Sequence, residues 1–298
     1  MNRCAFLVIV ACMVLSARTE RSEGKAPSTQ PAAVRVMSFN VRNSAARDGE
    51  NRWDRRKGLL LDTIRAYDPD VLGMQEVLAD QADFLREQLR GYGFAGGGRD
   101  DGERRGEYSP VMFRTDRFEL LASGQWWLSE TPERVGSRGW DAALPRVVTW
   151  VKLRDRRTGA SLLVFNTHWD HVGKTARIES AKLMRRLIEE QRGRENGLPT
   201  IVIGDFNTTE DAEPYRTLTG AGGGGLILAD AYRQAHPQSR SDEASFHASR
   251  GTRDGKRIDW VLCSPEWAVR GAAIDHTQRE GRYPSDHYPV TAELELKR

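Results

Sequence analysis

The chain has 298 residues, of which 39% are apolar and 29% are charged, and its formal net charge is +3 at pH 7. Such a composition is typical of a globular protein with a sizeable core, and it excludes a chain too polar to fold. The nearly balanced charge neither requires a nucleic-acid partner nor excludes one, because a basic groove can be a local feature.

The first segment of the chain has the pattern of an export signal. Arg3 precedes an apolar run at 4–15 that is too short to span a bilayer. This pattern predicts a signal peptide at 1–17, although a short membrane anchor or a buried N-terminal helix would have a similar sequence. The stretch "IVAC" at 9–12 resembles a lipoprotein cleavage box, which would place a lipid on Cys12. We therefore expect an exported protein that is periplasmic or extracellular.

The segment at 18–33 is polar, contains proline and lacks apolar periodicity, which predicts a disordered tether. Residues 1–31 hold four basic and two acidic side chains, so two of the three net positive charges lie before the predicted folded domain at 34–298. Of the three cysteines, only Cys263 lies in that domain. The domain is therefore expected to fold without an internal disulfide.

Short β-branched and aromatic runs alternate with helical patterns along the rest of the chain. The predicted strands lie at 34–41, 69–77, 109–114, 118–127, 146–153, 161–168, 199–207, 257–264 and 289–294. The predicted helices lie at 52–67, 79–92, 174–192 and 212–220. Strand–helix alternation in some parts and a run of strands in the middle favour an α/β domain with stacked sheets inside and helices outside.

Six of the apolar runs end in, or contain, polar side chains of the same few types. They are Asn40, the pair Gln75 and Glu76, the group Asn166, His168, Asp170 and His171, the pair Asp205 and Asn207, the single Asp259, and the pair Asp286 and His287. Residues i and i+2 of a strand point to the same face, so Asp205 and Asn207 project together. One such end alone is more often a turn or a helix cap. Six of them predict one polar pocket at a rim of the sheets, where the side chains find partners or water.

The side chains of this pocket favour one class of chemistry. Carboxylate and amide oxygens are ligands for Mg²⁺, Mn²⁺ or Ca²⁺, and the pocket has no obvious serine or cysteine nucleophile. Its two most prominent histidines each have an acidic residue that would orient the ring. A hard divalent ion, an activated water and a proton donor are the components of metal-assisted phosphoester hydrolysis.

Seven stretches occur in the order found in a known superfamily: "VMSFNVR", "QEV", "GEYSPVMF", "FNTHWDH", "GDFN", "RIDWVL" and "PSDHYPV". On these stretches the chain resembles, over residues 34–296, the endonuclease/exonuclease/phosphatase superfamily, which includes pancreatic-type deoxyribonuclease, neutral sphingomyelinases and nocturnin-like nucleases. Further stretches, such as "GWDAALPRVVTW", resemble a bacterial, often exported branch. The resemblance implies a deoxyribonuclease-like, four-layered α/β sandwich in which two face-to-face mixed β-sheets are flanked by helices.

The resemblance also implies a metal site. Glu76 matches the metal-binding glutamate of the family, and Asn40 and Asp286 match positions beside the metal. The expected cofactor is Mg²⁺ or Mn²⁺, with Ca²⁺ as a further option.

Five residues match the family's catalytic positions. Asp205 and Asn207 match the pair that holds the attacking water and a phosphate oxygen. Asp259 matches the carboxylate that orients the catalytic His287. His168 matches the histidine on the opposite side of the phosphate.

Six further residues are predicted to contact the substrate: Glu107, Tyr108, Arg146, Asn166, Asp170 and His171. Glu107 would orient His168. Arg146 would either clamp a phosphate oxygen or pair with a surface acid. Tyr108 would either contact the phosphate or pack in the core.

The last three of these residues are close to His168 in sequence. Asn166 shares a strand face with it. Asp170 and His171 follow it in a loop, where they would line the pocket or make hydrogen bonds within the loop.

The predicted activity is hydrolysis of a phosphodiester or a phosphomonoester by in-line attack of an activated water. The alternative is a secreted nuclease, either an endonuclease or a 3′–5′ exonuclease of the deadenylase type, and it predicts a basic groove. A catalytically inactive binding protein on the same fold would lack a metal or histidine position. The expected partner is the substrate, either a nucleic acid or a sugar, inositol or lipid phosphate. No obligate protein partner is evident, and a monomer is expected.

Overall fold

The computed structural model describes residues 33–221, 223 and 225–297. The predicted signal peptide, the lipidation site at Cys12 and the predicted tether up to residue 32 lie outside the described residues. Within these ranges, no helix is both long enough and apolar enough to cross a membrane.

Within the described part of the chain, two six-stranded β-sheets form the centre of the fold. In chain order, the strands are β1 (Val34–Asn40), β2 (Val71–Gln75), β3 (Tyr92–Ala95), β4 (Val111–Arg114), β5 (Phe118–Trp127), β6 (Val147–Asp155), β7 (Ser161–His168), β8 (Thr200–Asp205), β9 (Ala229–Asp230), β10 (Asp259–Cys263), β11 (Trp267–Ile274) and β12 (Val290–Leu296). The spatial order is β11-β12-β1-β2-β4-β3 in the first sheet and β5-β6-β7-β8-β10-β9 in the second. The pairs β1–β2 and β7–β8 are parallel and the other neighbours are antiparallel, so both sheets are mixed.

Helices cover the outer faces of the two sheets. They are α1 (Trp53–Tyr67), α2 (Ala79–Gln88), α3 (Lys174–Arg194), α4 (Glu213–Thr219) and the short α5 (Ala231–Ala235), with a 3₁₀ turn at Gly49–Asn51. One apolar cluster joins Val36 of the first sheet to Val164 of the second. A second packs α1 and α2 on Phe39, and a third packs α3 and α4 on Phe165. The order of layers is helix, sheet, sheet, helix, which confirms the predicted four-layered α/β sandwich.

Strand β1 shows how the sequence specifies these layers. Val34 and Val36 face the other sheet, whereas Met37 and Phe39 face the helices. Both faces of this central strand are buried, so apolar side chains point to both faces instead of alternating with polar ones. The pattern ends at Asn40, which is the last residue of the strand.

The strand register brings the polar ends together at one rim. Asn40 lies opposite Gln75 in the parallel pair β1–β2, and His168 lies opposite Asp205 in the parallel pair β7–β8. Asp259 lies opposite Asp205 in the antiparallel pair β8–β10. Because parallel neighbours run in the same direction, the carboxyl ends of both pairs meet at the edge where β10 begins.

Some elements differ from the sequence-based expectation. The helix predicted at 79–92 ends at Gln88, and Tyr92–Ala95 forms the edge strand β3. Strands β9 and β11 and helix α5 were not predicted. Strand β11 is rich in alanine and glycine and carries a bulge between Val269 and Gly271, so it lacks the β-branched alternation on which strand prediction depends.

Candidate active site

A cavity of about 680 Å³ opens at the rim where these strand ends meet. The predicted site residues that line it are Glu76, Glu107, Arg146, His168, His171, Asp205, Asn207, Asp286 and His287. Asn40 and Asp259 are fully buried and hydrogen-bond to residues of this lining. The structure therefore brings all the predicted metal and catalytic residues to one place.

Asp205 lies at the centre of the site and is close to three other predicted site residues. Its Oδ2 atom accepts a hydrogen bond from Nδ2 of Asn40 at 2.9 Å and lies 3.5 Å from Nε2 of His168 and 3.7 Å from Nε2 of His287. Burial raises the pKa of Asp205 to about 7, and the negative charge of Asp259 acts in the same direction. A carboxylate with a pKa near neutrality is suited to accept a proton from water.

Asp259 and His287 form a buried pair. Nδ1 of His287 donates to Oδ2 of Asp259 at 2.9 Å. Burial opposes protonation of the ring, but Asp259 and Asp205 outweigh it and raise the pKa of His287 to about 10. The ring is therefore an imidazolium at neutral pH, with its Nε2 side towards Asp205.

Backbone contacts hold this pair in place. The hydroxyl oxygen of Ser245 accepts hydrogen bonds from the backbone N–H groups of Ile258 and Asp259, and the carbonyl of Ser245 accepts one from the N–H of Tyr288. One residue thus connects the strand that carries the carboxylate to the loop that carries the imidazole. This anchoring was not visible in the sequence, where Ser245 is an ordinary loop serine.

Glu76 lies at the end of β2 in a left-handed conformation, with φ of 62°. The amide of Asn40 donates to Glu76 Oε1 at 3.1 Å, and the side-chain amide of Asn43 donates to Oε2 at 2.9 Å. The side-chain amide of Asn40 donates to two carboxylates, and its oxygen accepts the N–H of Arg42. Asn40 therefore orients the acids rather than offering an oxygen to a metal ion. Burial opposes ionisation of Glu76, but His287, Asn40 and Arg42 lower its pKa.

Two carboxylates of the lining fit a hard divalent ion. Burial raises the pKa of Asp286, and the nearby charge of Glu76 raises it further. Like charges held together at a cavity wall are stabilised by a cation between them, and carboxylate oxygens are the donors that Mg²⁺, Mn²⁺ and Ca²⁺ prefer.

The side-chain atoms of Asp205, Asp259 and His287 also lie within 4.8 Å of one another, a spacing that a metal ion can bridge. This trio fits a cation less well, because Nδ1 of His287 carries a proton bonded to Asp259. Glu76 and Asp286 fit a divalent ion better than this trio does.

His168 and Asn207 occupy the opposite wall of the cavity. Nδ2 of Asn207 donates to Nε2 of His168 at 3.0 Å and to the carbonyl of Trp169 at 2.9 Å. Nε2 of His168 is thus an acceptor, and the proton is on Nδ1, which has no hydrogen-bond partner in the described residues. Burial and the charges of Arg146 and Arg99 hold the pKa of His168 well below its usual range, so the ring is neutral.

Arg146 and His171 reach the cavity together. Nη2 of Arg146 lies 2.9 Å from Nδ1 of His171, and Nε lies 3.3 Å from Oδ2 of Asp170. Asp170 itself is not part of the lining. It accepts the backbone N–H groups of Ala143, Val172 and Gly173, which places it in the turn before α3 and favours the loop role over the pocket role.

The expected contact between Glu107 and His168 is absent from the described residues. Glu107 forms an ion pair with Arg99, and its Oε1 lies 3.4 Å from Nδ2 of Asn43. The carboxylate of Glu107 pairs with the buried Arg99 because a guanidinium has several charged donors, whereas the neutral ring of His168 has one N–H.

Like Asp170, two more of the predicted substrate contacts, Tyr108 and Asn166, do not line the cavity. Tyr108 is buried and packs edge-to-face on Phe94 at 6.3 Å, which is the packing alternative. Asn166 is fully buried and donates to the carbonyls of Met74 and Pro110, while its oxygen accepts Nε2 of Gln75. Asn166 therefore satisfies polar groups between the two sheets.

Sequence reasoning missed several lining residues, among them Arg42, Asn43, Arg47, Asp48 and Phe246. The first four lie in the loop after β1, which has no periodicity to assign its side chains to a face. Phe246 has 45% of its surface exposed, and its ring centroid lies 4.9 Å from that of His287. An exposed aromatic residue is not distinguishable from a core residue in the sequence alone.

Residues 37–287 match the Endonuclease/Exonuclease/phosphatase family, and the chain belongs to that family. A solved member of this family from Bacteroides vulgatus is 38% identical, with a TM-score of 0.82 over 89% of this chain and 99% of that chain. The mannosyl-6-phosphatase of Bacteroides thetaiotaomicron is 35% identical, with a TM-score of 0.81 over 88% of this chain and 100% of that chain.

More distant similarity extends to nucleases. Nocturnin of Mus musculus is 25% identical in an alignment that covers 88% of this chain, and a probable RNA exonuclease of Saccharomyces cerevisiae is 25% identical in one that covers 67% of this chain. The chain spans 64% of the length of nocturnin and 43% of that of the yeast protein.

Proposed function

We propose that this protein is a divalent-metal-dependent phosphatase that hydrolyses the phosphomonoester of a small molecule such as a phosphorylated sugar. The observation that carries this proposal is the convergence of Glu76, Asp286, Asp205 and the Asp259–His287 pair on one cavity. The identity of 35% with a mannosyl-6-phosphatase, over the full length of that chain, supports the choice of a sugar phosphate.

Glu76 and Asp286 would hold Mg²⁺ or Mn²⁺, with Ca²⁺ as a further option, since all three are bound through oxygen. When bound, such an ion neutralises charge on the phosphate. Asp205 takes a proton from the attacking water, because burial has raised its pKa to about 7. Asn207 fixes the orientation of His168 on the opposite wall, where burial keeps the ring neutral.

His287 is the charged imidazole of the site and donates a hydrogen bond to a phosphate oxygen. Asp259 fixes the ring through Nδ1, so the Nε2 proton points to the side of Asp205 where the phosphate would lie. The P–O bond to the sugar breaks as the bond to the water oxygen forms, and the leaving oxygen takes a proton from His287. His287 is favoured over His168 in this role because its pKa is raised to about 10, whereas the pKa of His168 lies well below its usual range.

A nuclease is the second candidate. Similarity to nocturnin and to a probable RNA exonuclease favours it, and the exposed ring of Phe246 offers a surface on which a base would stack. The small net charge of the folded part gives less support for binding of a long polyanion.

An assay panel separates these functions. The purified protein is tested with hexose 6-phosphates, nucleotides, aryl phosphomonoesters and phosphodiesters, single-stranded RNA and DNA, in Mg²⁺, Mn²⁺, Ca²⁺ or EDTA, with Asp205→Asn as the matched inactive control. We expect phosphate release from the monoesters in Mg²⁺ or Mn²⁺ and none in EDTA. Shortening of RNA or DNA without release from monoesters would instead establish the nuclease.

We also propose that the protein acts outside the cytoplasm as a monomer, as a member of the bacterial exported branch. The apolar run at 4–15 and the polar segment after it support export.

A further inference from the structure

Arg42 is a cation placed among three carboxylates at the edge of the proposed metal site. Its Nε and Nη2 atoms donate to the two oxygens of Asp48 at 2.9 and 3.0 Å. Its Nη1 atom lies 3.8 Å from Oε2 of Glu76, and its Nε atom lies 3.6 Å from Oδ2 of Asp286. The two acids assigned to the metal are thus also the acids nearest to this guanidinium, after Asp48.

The backbone of Arg42 is held in this place by buried groups. Arg42 has φ of 51°, a left-handed conformation that is unfavourable for a residue with a side chain. Its N–H donates to Oδ1 of Asn40, and its carbonyl accepts Nη2 of the buried Arg56 and Nε2 of Gln81. A strained residue that several contacts fix at a cavity wall is typical of a functional position.

We propose that Arg42 is a resident cation that shares Glu76 and Asp286 with the divalent ion and couples binding of the ion to binding of the phosphate. This inference rests on the proposed function. When the ion takes the two carboxylates, Arg42 stays bonded to Asp48 but loses its two weaker partners. Its Nη1, which makes no hydrogen bond within the described residues, is then available to a phosphate oxygen.

The charge of Arg42 does not change in this exchange. The hydrogen bonds that Arg42 donates to Asp48 raise the pKa of Arg42 above the already high value of a free guanidinium, and the same contact lowers the pKa of Asp48. The coupling is therefore a competition between two cations for the same carboxylates, and it does not depend on deprotonation of Arg42.

This competition has a signature that a purely structural residue would not show. In the free protein Arg42 weakens binding of the ion, because both cations interact with Glu76 and Asp286. In the presence of phosphate, Arg42 has another anionic partner and no longer opposes the ion. Phosphate should then tighten binding of the ion, and by reciprocity the ion should tighten binding of phosphate.

Isothermal titration calorimetry of the full protein with Mg²⁺ and inorganic phosphate measures both couplings. We expect Arg42→Gln to bind Mg²⁺ about tenfold more tightly than the wild type, because the change removes a positive charge beside Glu76 and Asp286. The same variant should bind phosphate more weakly in saturating Mg²⁺, and the effect of phosphate on Mg²⁺ affinity should largely disappear.

Two further variants sharpen the test. Asp48→Asn leaves the guanidinium without its main partner, so Arg42 should turn further onto Glu76 and Asp286 and weaken Mg²⁺ binding, which is opposite in sign to Arg42→Gln. Arg186→Gln is the matched control, because Arg186 pairs with Glu190 at 3.8 Å on helix α3, outside the cavity. It should leave the Mg²⁺ affinity unchanged. Thermal unfolding checks that each variant is folded.

The outcomes separate this inference from the proposed function. If the wild type binds Mg²⁺ and hydrolyses phosphomonoesters, but Arg42→Gln binds Mg²⁺ no more tightly, the role of Arg42 is wrong and the function stands. If Arg42→Gln and Asp48→Asn change Mg²⁺ affinity in the same direction, the shared-cation idea is likewise overturned. A wild type that neither binds Mg²⁺ nor hydrolyses any phosphoester overturns both.

Discussion

Nδ1 of His287 lies 2.9 Å from Oδ2 of Asp259, although the two residues are 28 positions apart in the chain. The pair is almost fully buried, at 4% and 1% exposure, so its mutual attraction is little weakened by solvent. The consequence is an imidazolium whose orientation is fixed before any substrate arrives, which is the arrangement that electrostatic stabilisation of a transition state requires.

Removal of either member of this pair should impair the chemical step. Asp259→Asn should lower kcat by about 10²-fold and His287→Gln by more, within the range of about 10²- to 10⁴-fold typical of general acid–base groups. The KM should change much less, because neither change removes the metal ligands. His236→Gln is the control, since His236 bonds to the carbonyl of Ala272 outside the cavity. Equal activity of Asp259→Asn and wild type would show that the pair is structural.

Loss of the proposed metal ligand should affect metal binding and activity together. Outer-shell partners of metal ligands already contribute about 10- to 100-fold to affinity or activity, so Glu76→Gln should reduce Mg²⁺ affinity by at least ~100-fold. Titration calorimetry and phosphate release measure the two effects. Glu119→Gln is the control, because Glu119 lies on β5 away from the cavity. Full activity of the wild type in EDTA would contradict the metal site itself.

Stability without metal should depend on pH through His287. Its folded-state pKa of about 10 is raised above the ordinary 6.5, so its stabilising contribution is fully present below about pH 6.5. That contribution is lost as the pH rises through about 10, because the folded state then releases the proton. Urea unfolding in EDTA from pH 6 to pH 10 should show a free energy of unfolding that decreases more in the wild type than in His287→Gln. Parallel pH profiles for the two proteins would rule out the raised pKa.

The exposed ring of Phe246 should contribute to binding of the organic part of the substrate. Its position beside His287 places a flat apolar surface next to the phosphate subsite. Phe246→Ala should raise the KM for aryl or hexose phosphates several-fold while leaving competitive inhibition by inorganic phosphate unchanged. Val172→Ala removes another exposed apolar side chain outside the cavity and should change neither value. A parallel loss of phosphate inhibition in Phe246→Ala would indicate a general disturbance of the site.

The parts of the site that the sequence predicts are those at the ends of periodic strands. Asp205 and Asn207 follow a β-branched run, so their position and common face follow from the pattern. Asn166 shows the limit of this reasoning, because it shares a face with His168 but lies two residues earlier in the strand, farther from the rim. There it meets Gln75 of the opposite sheet instead of the cavity. A pattern gives the face of a strand, but depth along the strand depends on how the two sheets pack.

Loop residues were the least predictable part. Glu107 has the charge to pair with His168, but the turn before it brings Arg99 closer. Arg42 is likewise positioned by a left-handed backbone and by Arg56 from a helix, neither of which leaves a periodic signal in the sequence. Both side chains pair with a residue of their own irregular loop, eight positions away for Glu107 and six for Arg42, where no periodic pattern assigns a side chain to a face.

The last prediction concerns the N-terminal segment. Strand β1 begins at Val34, and the carbonyl of Ala33 accepts Nη1 of Arg117, so the described fold includes this point of the chain. Deletion of residues 1–31 should therefore leave a folded enzyme with wild-type kcat that stays in the cytoplasm. The full-length protein should be recovered outside the inner membrane, either starting after residue 16 or 17 or carrying lipid on Cys12. Mass spectrometry of the N-terminus from the native host distinguishes these forms. Intact Met1 on cytoplasmic protein would refute export.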